Sequence, residues 1–271
     1  MRLVRGATAG SAEISWDPLK ALSPEAVSEF DAVVHLAGKS IADRWTQSKK
    51  TSIRESRRVG TRNLAEALAN APQRPRVLLA ASAIGYYGDR GDEVLSEQSA
   101  AGNDFLATVC REWEAATEPA RSAGIRTVNC RIGIVLSATG GALAKMLLPF
   151  RFGLGGRFGD GTQWWSWIHL NDVIGAFVHA MENASLDGPV NLVAPNPVTN
   201  AEFTKVLGSV LRRPTLFPVP AFAARLALGE MADQLLLASQ RVTAGNLAAS
   251  GYSFHYPQLR DALEHSVRSD Q

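Results

Sequence analysis

The run Val77–Ala81 (VLLAA) offers no polar residue to either face of an extended chain. A strand of that kind is buried on both faces, as in a parallel sheet covered by helices. Similar short runs recur at Asp31–Leu36 (DAVVHL), Ile125–Ile132 (IRTVNCRI, continued or bent at Gly133–Leu136) and Val190–Val193. Between them, Thr46–Ala71 places Ile53, Val59, Leu64 and Leu68 near helical spacing among charged residues, and Pro72 and Pro75 end it. Asn103 or Asp104 can cap a further helix from Phe105 to about Ser122, closed at Gly124. Strand, helix, strand, helix, strand at these separations predicts an α/β fold, a Rossmann-like parallel sheet with helices on both faces.

The second half changes character. Residues 140–161 carry Gly140, Gly141, Gly153, Gly155, Gly156, Gly159 and Gly161 and read as a loop-rich region. Gln163–Leu170 (QWWSWIHL) reads as an aromatic strand, followed by a helix to about Asn183. Thr199 can cap a helix over 201–211, and Ala221–Leu237 is an apolar helical segment interrupted by Gly229. Its Leu226, Leu235 and Leu236 are expected to pack inward, and a last helix spans Pro257 to about Val267. The division predicted is a core of residues 1–136, rejoined by 171–195, and a smaller, mostly helical substrate lobe of 137–170 and 196–271.

Composition closes off several function classes. Of 271 residues 46% are hydrophobic and 20% charged, and the net charge of +2 is scattered, so no nucleic-acid partner is indicated. The run Arg54–Arg58 (RESRR) reads as a solvated helix face. Cys110 and Cys130 form no disulfide framework and no metal cluster, which suits a reducing, cytoplasmic compartment. There is no secretory segment and no apolar run long enough to span a membrane, so no membrane partner is indicated either.

In open α/β sheets ligands bind beyond the carboxyl ends of the strands. Ser82, Tyr86 and Tyr87 follow the Val77 strand there and are candidate proton-transfer groups, although a strand and Gly-bounded turn with one packed tyrosine explains the same pattern. His169 and Asp172 flank the start of a helix; Asp172 is well explained by unpaired helix N–H groups, and His169 by an anchor to backbone or to Asp172. Trp165 and Trp167 share a strand face opposite Trp164, so at least one belongs to the core. Arg5 is a candidate for the 2′-phosphate of NADP if Leu3–Arg5 ends the second strand of a dinucleotide-binding sheet. No GxGxxG or GxxGxxG opens the chain, and the glycines at 153–161 neither follow a first strand nor precede a helix.

Several longer segments belong together: VVHLAG at 33–38, WTQSKKTSIRESRRVGTRNLAEAL at 45–68, SAIGYYGDRG at 82–91, DFLATVCREWEAA at 104–116, RIGIVLSATGGALAKMLLPFRFGLGG at 131–156 and WWSWIHLNDVIGAF at 164–177. They closely resemble the epimerase-family branch of the extended short-chain dehydrogenase/reductase superfamily, whose C-terminal helical segment is matched from about Phe222 to Leu263. The resemblance implies an NADP-dependent oxidoreductase or epimerase-like protein. Its partners would be a small-molecule substrate, a nucleotide sugar or carbonyl compound, and a second copy in a homodimer. Family members open with a strand, a glycine-rich turn and a helix before a second strand resembling RLVR. The sequence is therefore expected to lack roughly thirty residues of that first unit and to leave a sheet edge uncovered.

The resemblance also assigns sites. Leu36, Ala37 and Gly38 correspond to the adenosine–pyrophosphate side of the cofactor cleft, and Gly133, Ile134 and Val135 to the nicotinamide side. Arg57 stands near a superfamily asparagine, and Ser82 lies one residue before the usual hydroxyl position, which is Ala83. Lys145, Arg151, Trp165 and His169 fall in the substrate-facing region. The family's tyrosine and lysine are replaced by Phe105 and Val109, neither of which moves protons. That leaves Tyr86 or Tyr87 as the acid, with Ser82 assisting and Arg57 or Lys145 as the neighbouring cation. The alternatives are an NADP-binding regulator or scaffold without turnover, and a form that binds no cofactor.

Overall fold

Four parallel strands form the central sheet in the order Gly188–Leu192, Arg126–Ile132, Val77–Ala83, Ala32–His35. They belong to a computed structural model describing residues 1–6, 10 and 12–268. The polar loop expected before Gly10 and the polar tail after Arg268 lie largely outside the described residues. The period-2 geometry of the central strand divides its side chains between two cores. Leu78 joins Leu64, Leu68 and Ile125 beneath the helix Gln47–Asn70, while Val77 and Leu79 join Val173, Ala176 and Phe177 of the helix Leu170–Glu182. Each such aliphatic side chain contributes about 1.5–3 kcal/mol by leaving water, which is why a purely apolar run occupies the centre.

The caps follow the sequence. Asp104 accepts from the Ala107 N–H at 2.8 Å and starts the helix Phe105–Ala115, and Thr46 and Thr199 do the same for their helices. Three expectations are corrected. The helix from Phe105 stops at Ala115, and a separate turn, Glu118–Ser122, restarts with Pro119 at its beginning. Residues Gly141–Arg151 within the glycine-rich region are helical, because Leu143, Leu147 and Phe150 form a buried stripe. The segment Ala221–Leu237 is interrupted at Gly229 (φ +63°) as expected, into a helix, Ala221–Leu228, and a π-helical turn, Ala232–Leu237, but Leu226 points into solvent instead of packing inward.

Two short strands, Arg2–Val4 and Glu13–Ser15, pair in parallel as a separate ribbon. Leu3 of that ribbon and Val33 of the main sheet rest on the same core beneath the long helix. Among the described residues, Ala32–His35 has a strand partner on one side only, and Val34 is 40% exposed there. No helix among the described residues is long and apolar enough to cross a membrane.

Candidate nucleotide-binding cleft

Arg5 follows the strand Arg2–Val4, Asp17 the strand Glu13–Ser15 and Lys39 the strand Ala32–His35, and with Leu19, Ser52, Glu55 and Ser56 they line a cavity of about 230 Å³. Arg5 and Lys39 are the cations a phosphate needs, and Asp17 and Glu55 are acceptors suited to ribose hydroxyls. Next to it Leu36 is 61% exposed, Ala37 half-buried and Gly38 exposed. Arg57 underlies this turn: its Nη1 donates to the Lys39 carbonyl at 2.9 Å and to the Ile53 carbonyl at 3.2 Å, and its guanidinium lies 4.8 Å from the Trp113 ring centre. A Cβ at Gly38 would come within 3.2 Å of that guanidinium, so glycine lets the chain cross it. The residues fit the phosphorylated adenosine end of NADP. The GxxGxxG turn that would cradle a pyrophosphate follows no strand among the described residues. A larger groove of about 430 Å³, lined by residues such as Arg58, Arg62 and Glu112, lies between two helices and touches no strand end.

The Ser82, Tyr86 and Tyr87 group is brought together, but around a buried ion pair. The Ser82 hydroxyl donates to Glu114 Oε1 at 2.7 Å. The same carboxylate takes two bonds from Arg131, Nε to Oε1 and Nη2 to Oε2, both at 2.8 Å. Tyr87 is fully enclosed; its phenol donates to Asn191 Oδ1 at 2.7 Å and accepts from Arg131 Nη1 at 3.0 Å. Burial pushes the Tyr87 phenol above its ordinary pKa, against the pull of Arg131. Ser82 and Tyr87 therefore hold this network together rather than facing a ligand. Tyr86 differs: it is only partly buried, and the Arg131 guanidinium stacks 3.5 Å from its ring centre. The cation beside the phenols is thus Arg131, whereas Arg57 and Lys145 have the other partners described here.

Phe105, in the family tyrosine's place, sits edge-on to Trp45 with ring centres 5.2 Å apart, and Lys50 Nζ stands 4.5 Å from its centre. Val109 is buried. On the other side of the cleft, Gly133 is required by packing, since a Cβ there would collide with the Ser166 carbonyl and Val193. The Ile134 N–H donates to the Ser166 carbonyl at 2.9 Å, and Ile134–Leu136 pairs with Trp167–His169. The backbone of Gly133–Val135 is thereby committed to a sheet.

The expected substrate residues separate. Lys145 Nζ donates to the Ala42 carbonyl at 3.0 Å, tying the second lobe to the loop after Gly38. Arg151 stands at the far end of the same helix, its carbonyl accepting from Arg213 Nε at 2.8 Å. Trp165 belongs to the lobe's core, edge-on to Phe203 at 5.2 Å. His169 is also enclosed: Nδ1 accepts from the Asn171 N–H at 3.0 Å, and Nε2 lies 3.2 Å from His265 Nδ1. Burial first, then His265, lowers its pKa to about 4 against Asp172. Asp172 lies in the first turn of the helix Leu170–Glu182, whose N-cap is His169. Its carboxylate accepts from the His255 N–H at 2.7 Å, the Tyr256 N–H at 2.9 Å and the Tyr252 hydroxyl at 3.1 Å.

Sequence reasoning missed Lys39, Glu114, Arg131 and Asn191. Arg131 had a signal, a charge inside a strand that must be buried on both faces. Glu114 had none, because an acidic residue in a mixed helix ordinarily faces solvent.

Comparison with known proteins places these features in a lineage. The model of the NAD dependent epimerase/dehydratase family matches residues 19–193, and a domain of unknown function, DUF1731, matches residues 219–266. An epimerase family protein of Mycobacterium bovis, Mb2239, is 44% identical over 269 residues, covering 98% of this chain and 89% of its own. The Bacillus subtilis epimerase family protein YfhF is 38% identical over 94% of this chain and 84% of its own. The crystal structure of the human epimerase family protein SDR39U1 with NADPH superposes with a TM-score of 0.91 at 34% identity, covering 98% of this chain and 90% of that one. UDP-glucuronic acid 4-epimerase from Bacillus cereus, 16% identical with a TM-score of 0.75, shares the fold. With a Rossmann-like sheet whose strand ends carry the segments quoted above, and a family match over most of that sheet, the chain belongs to the NAD dependent epimerase/dehydratase family.

Proposed function

We propose that this protein is an NADP-dependent oxidoreductase of the extended short-chain dehydrogenase/reductase type, working on a small carbonyl or carbinol compound, a nucleotide sugar among the candidates. The observation that carries the reading is the convergence of Arg5 and Lys39, which follow the strands Arg2–Val4 and Ala32–His35, on one cavity. Both would hold the 2′-phosphate, and the Leu36–Gly38 turn over Arg57 would support the adenosine side. NADPH, when bound, supplies hydride to a substrate carbon. Tyr86 is the phenol left to exchange a proton with the substrate oxygen, because the Ser82 and Tyr87 hydroxyls are taken up by Glu114, Asn191 and Arg131. Arg131, stacked on the Tyr86 ring, holds it in orientation. A reducing, cytoplasmic setting fits Cys110 and Cys130, which are buried and unpaired with each other.

Phe105 and Val109 favour a second reading, an NADP-binding protein without turnover. Titration of the protein with NADPH and with NADH, followed by nucleotide fluorescence, tests the cofactor assignment. NADPH is expected to bind more tightly, and Arg5→Glu to weaken NADPH by at least ~tenfold while sparing NADH. Equal affinities, or a phosphate preference that survives Arg5→Glu, reject Arg5. Turnover on a panel of carbonyl compounds separates the two readings.

A further inference from the structure

The last helix, Leu259–Arg268, is held against the second lobe by an apolar stripe and by one pair of histidines. Leu259, Ala262, Leu263 and Val267 share a core with Leu136, Trp167 and Phe203. Beside that core His265 Nδ1 lies 3.2 Å from His169 Nε2, and the Tyr256 ring packs on His169 with ring centres 4.1 Å apart. His169 is buried and is the N-cap of the helix Leu170–Glu182, where its Nδ1 accepts from the Asn171 N–H. That bond fixes the tautomer. Nδ1 carries no proton, so Nε2 does, and it donates to an unprotonated Nδ1 of His265. Along this path each hydrogen has its acceptor only while both rings are neutral. A proton added to His265 Nδ1 faces the His169 N–H. One added to His169 Nδ1 breaks the cap and sets a cation at a helix N-terminus.

We propose that His169 and His265 form a proton-operated latch: the neutral pair docks the helix Leu259–Arg268, and uptake of one proton in mildly acidic solution releases it from the lobe's core. Among the described residues, the charged groups packed around the pair are engaged elsewhere or exposed. Asp172 is the acid on the adjoining helix, and its carboxylate is occupied by the His255 and Tyr256 N–H groups and the Tyr252 hydroxyl. On the last helix Glu264 is paired with Arg260 and Arg268, and Asp261 is exposed. Glu202 and Lys205 of the helix Asn200–Leu211, and the His255 side chain, are exposed as well. The strand Ile134–Leu136 brings no titratable side chain. The low pKa of His169, about 4, agrees with this geometry. The central sheet takes no part in the latch, so release leaves it folded.

Amide hydrogen exchange of the full chain, expressed as protection factors at about pH 7.5 and about pH 5, tests this. The amides of Ala262 and Leu263 are expected to lose protection by at least ~tenfold at the lower pH, while those of Leu79 and Val128 in the central sheet keep theirs. His265→Asn puts an amide oxygen near the place of Nδ1 and cannot be charged, so the helix should stay protected at both pH values. His169→Asn, whose oxygen still caps the helix Leu170–Glu182, should give the same flat response. His265→Lys, a cation with no acceptor, should open the last helix already at the higher pH. Equal protection of the parent at both pH values, or loss in helix and sheet together, overturns the proposal. So does a parent-like pH dependence in either asparagine variant, or full protection of the lysine variant.

Discussion

Arg131 and Glu114 meet in a two-point ion pair at the carboxyl end of the central sheet, with both bonds at 2.8 Å and the arginine almost wholly buried. Removing one member of such a pair leaves a charge without compensation. Glu114→Ala is expected to cost about 3–5 kcal/mol in urea unfolding. Glu114→Leu combined with Arg131→Met should recover most of it. A loss below about 1 kcal/mol for Glu114→Ala would mean that the pair behaves like an exposed one.

His35, buried with Nε2 3.0 Å from Thr61 Oγ1, has its pKa lowered by burial from 6.5 to about 4. The unfolded chain therefore takes up a proton near pH 6.5 that the folded chain refuses until about pH 4. Stability from this residue is complete above 6.5 and is lost as pH falls through that window toward 4. The upper limit is about 3 kcal/mol, and His169 acts in the same direction. Urea midpoints across this range should fall less steeply for His35→Gln than for the parent; parallel slopes would exclude His35.

Asp172 gathers two backbone N–H groups and a phenol from residues 252–256 onto one carboxylate. Asp172→Asn is expected to lose about 2 kcal/mol, since an amide accepts with one oxygen only. Limited proteolysis should then cut near Tyr252–Tyr256 first. Unchanged stability and cleavage would show that water replaces these bonds without penalty.

Val34 lies on the strand that has no second partner among the described residues, and it is half exposed. Open edges of this kind recruit other chains. Val34→Lys is expected to lower light scattering on heating while shifting the melting temperature little. Scattering that stays the same would place the aggregation site elsewhere.

Tyr86→Phe separates chemistry from binding. For a reducible substrate, kcat is expected to fall by about 100-fold or more, with NADPH affinity unchanged. Equal kcat in the variant would remove Tyr86 as proton donor.

The sequence alone determined the architecture. Apolar runs such as Val77–Ala81 can be covered only from both sides, and the separations between runs leave room only for crossover helices. Caps such as Asp104 and Thr199 were legible because a helix start needs an acceptor at a fixed distance along the chain. What lay beyond local reading was the partner of each polar group. Ser82 and Tyr87 stand at a strand end, as an active site requires, yet Glu114, Arg131 and Asn191, brought in from a helix and two other strands, decide that they face inward. His169 and Trp165 turned from ligand candidates into core for the same reason, since a side chain's neighbours come from distant segments. Leu226 reversed the other way, because its helix found no second layer to cover that face. Periodicity records which residues share a face, and only tertiary packing decides what that face meets.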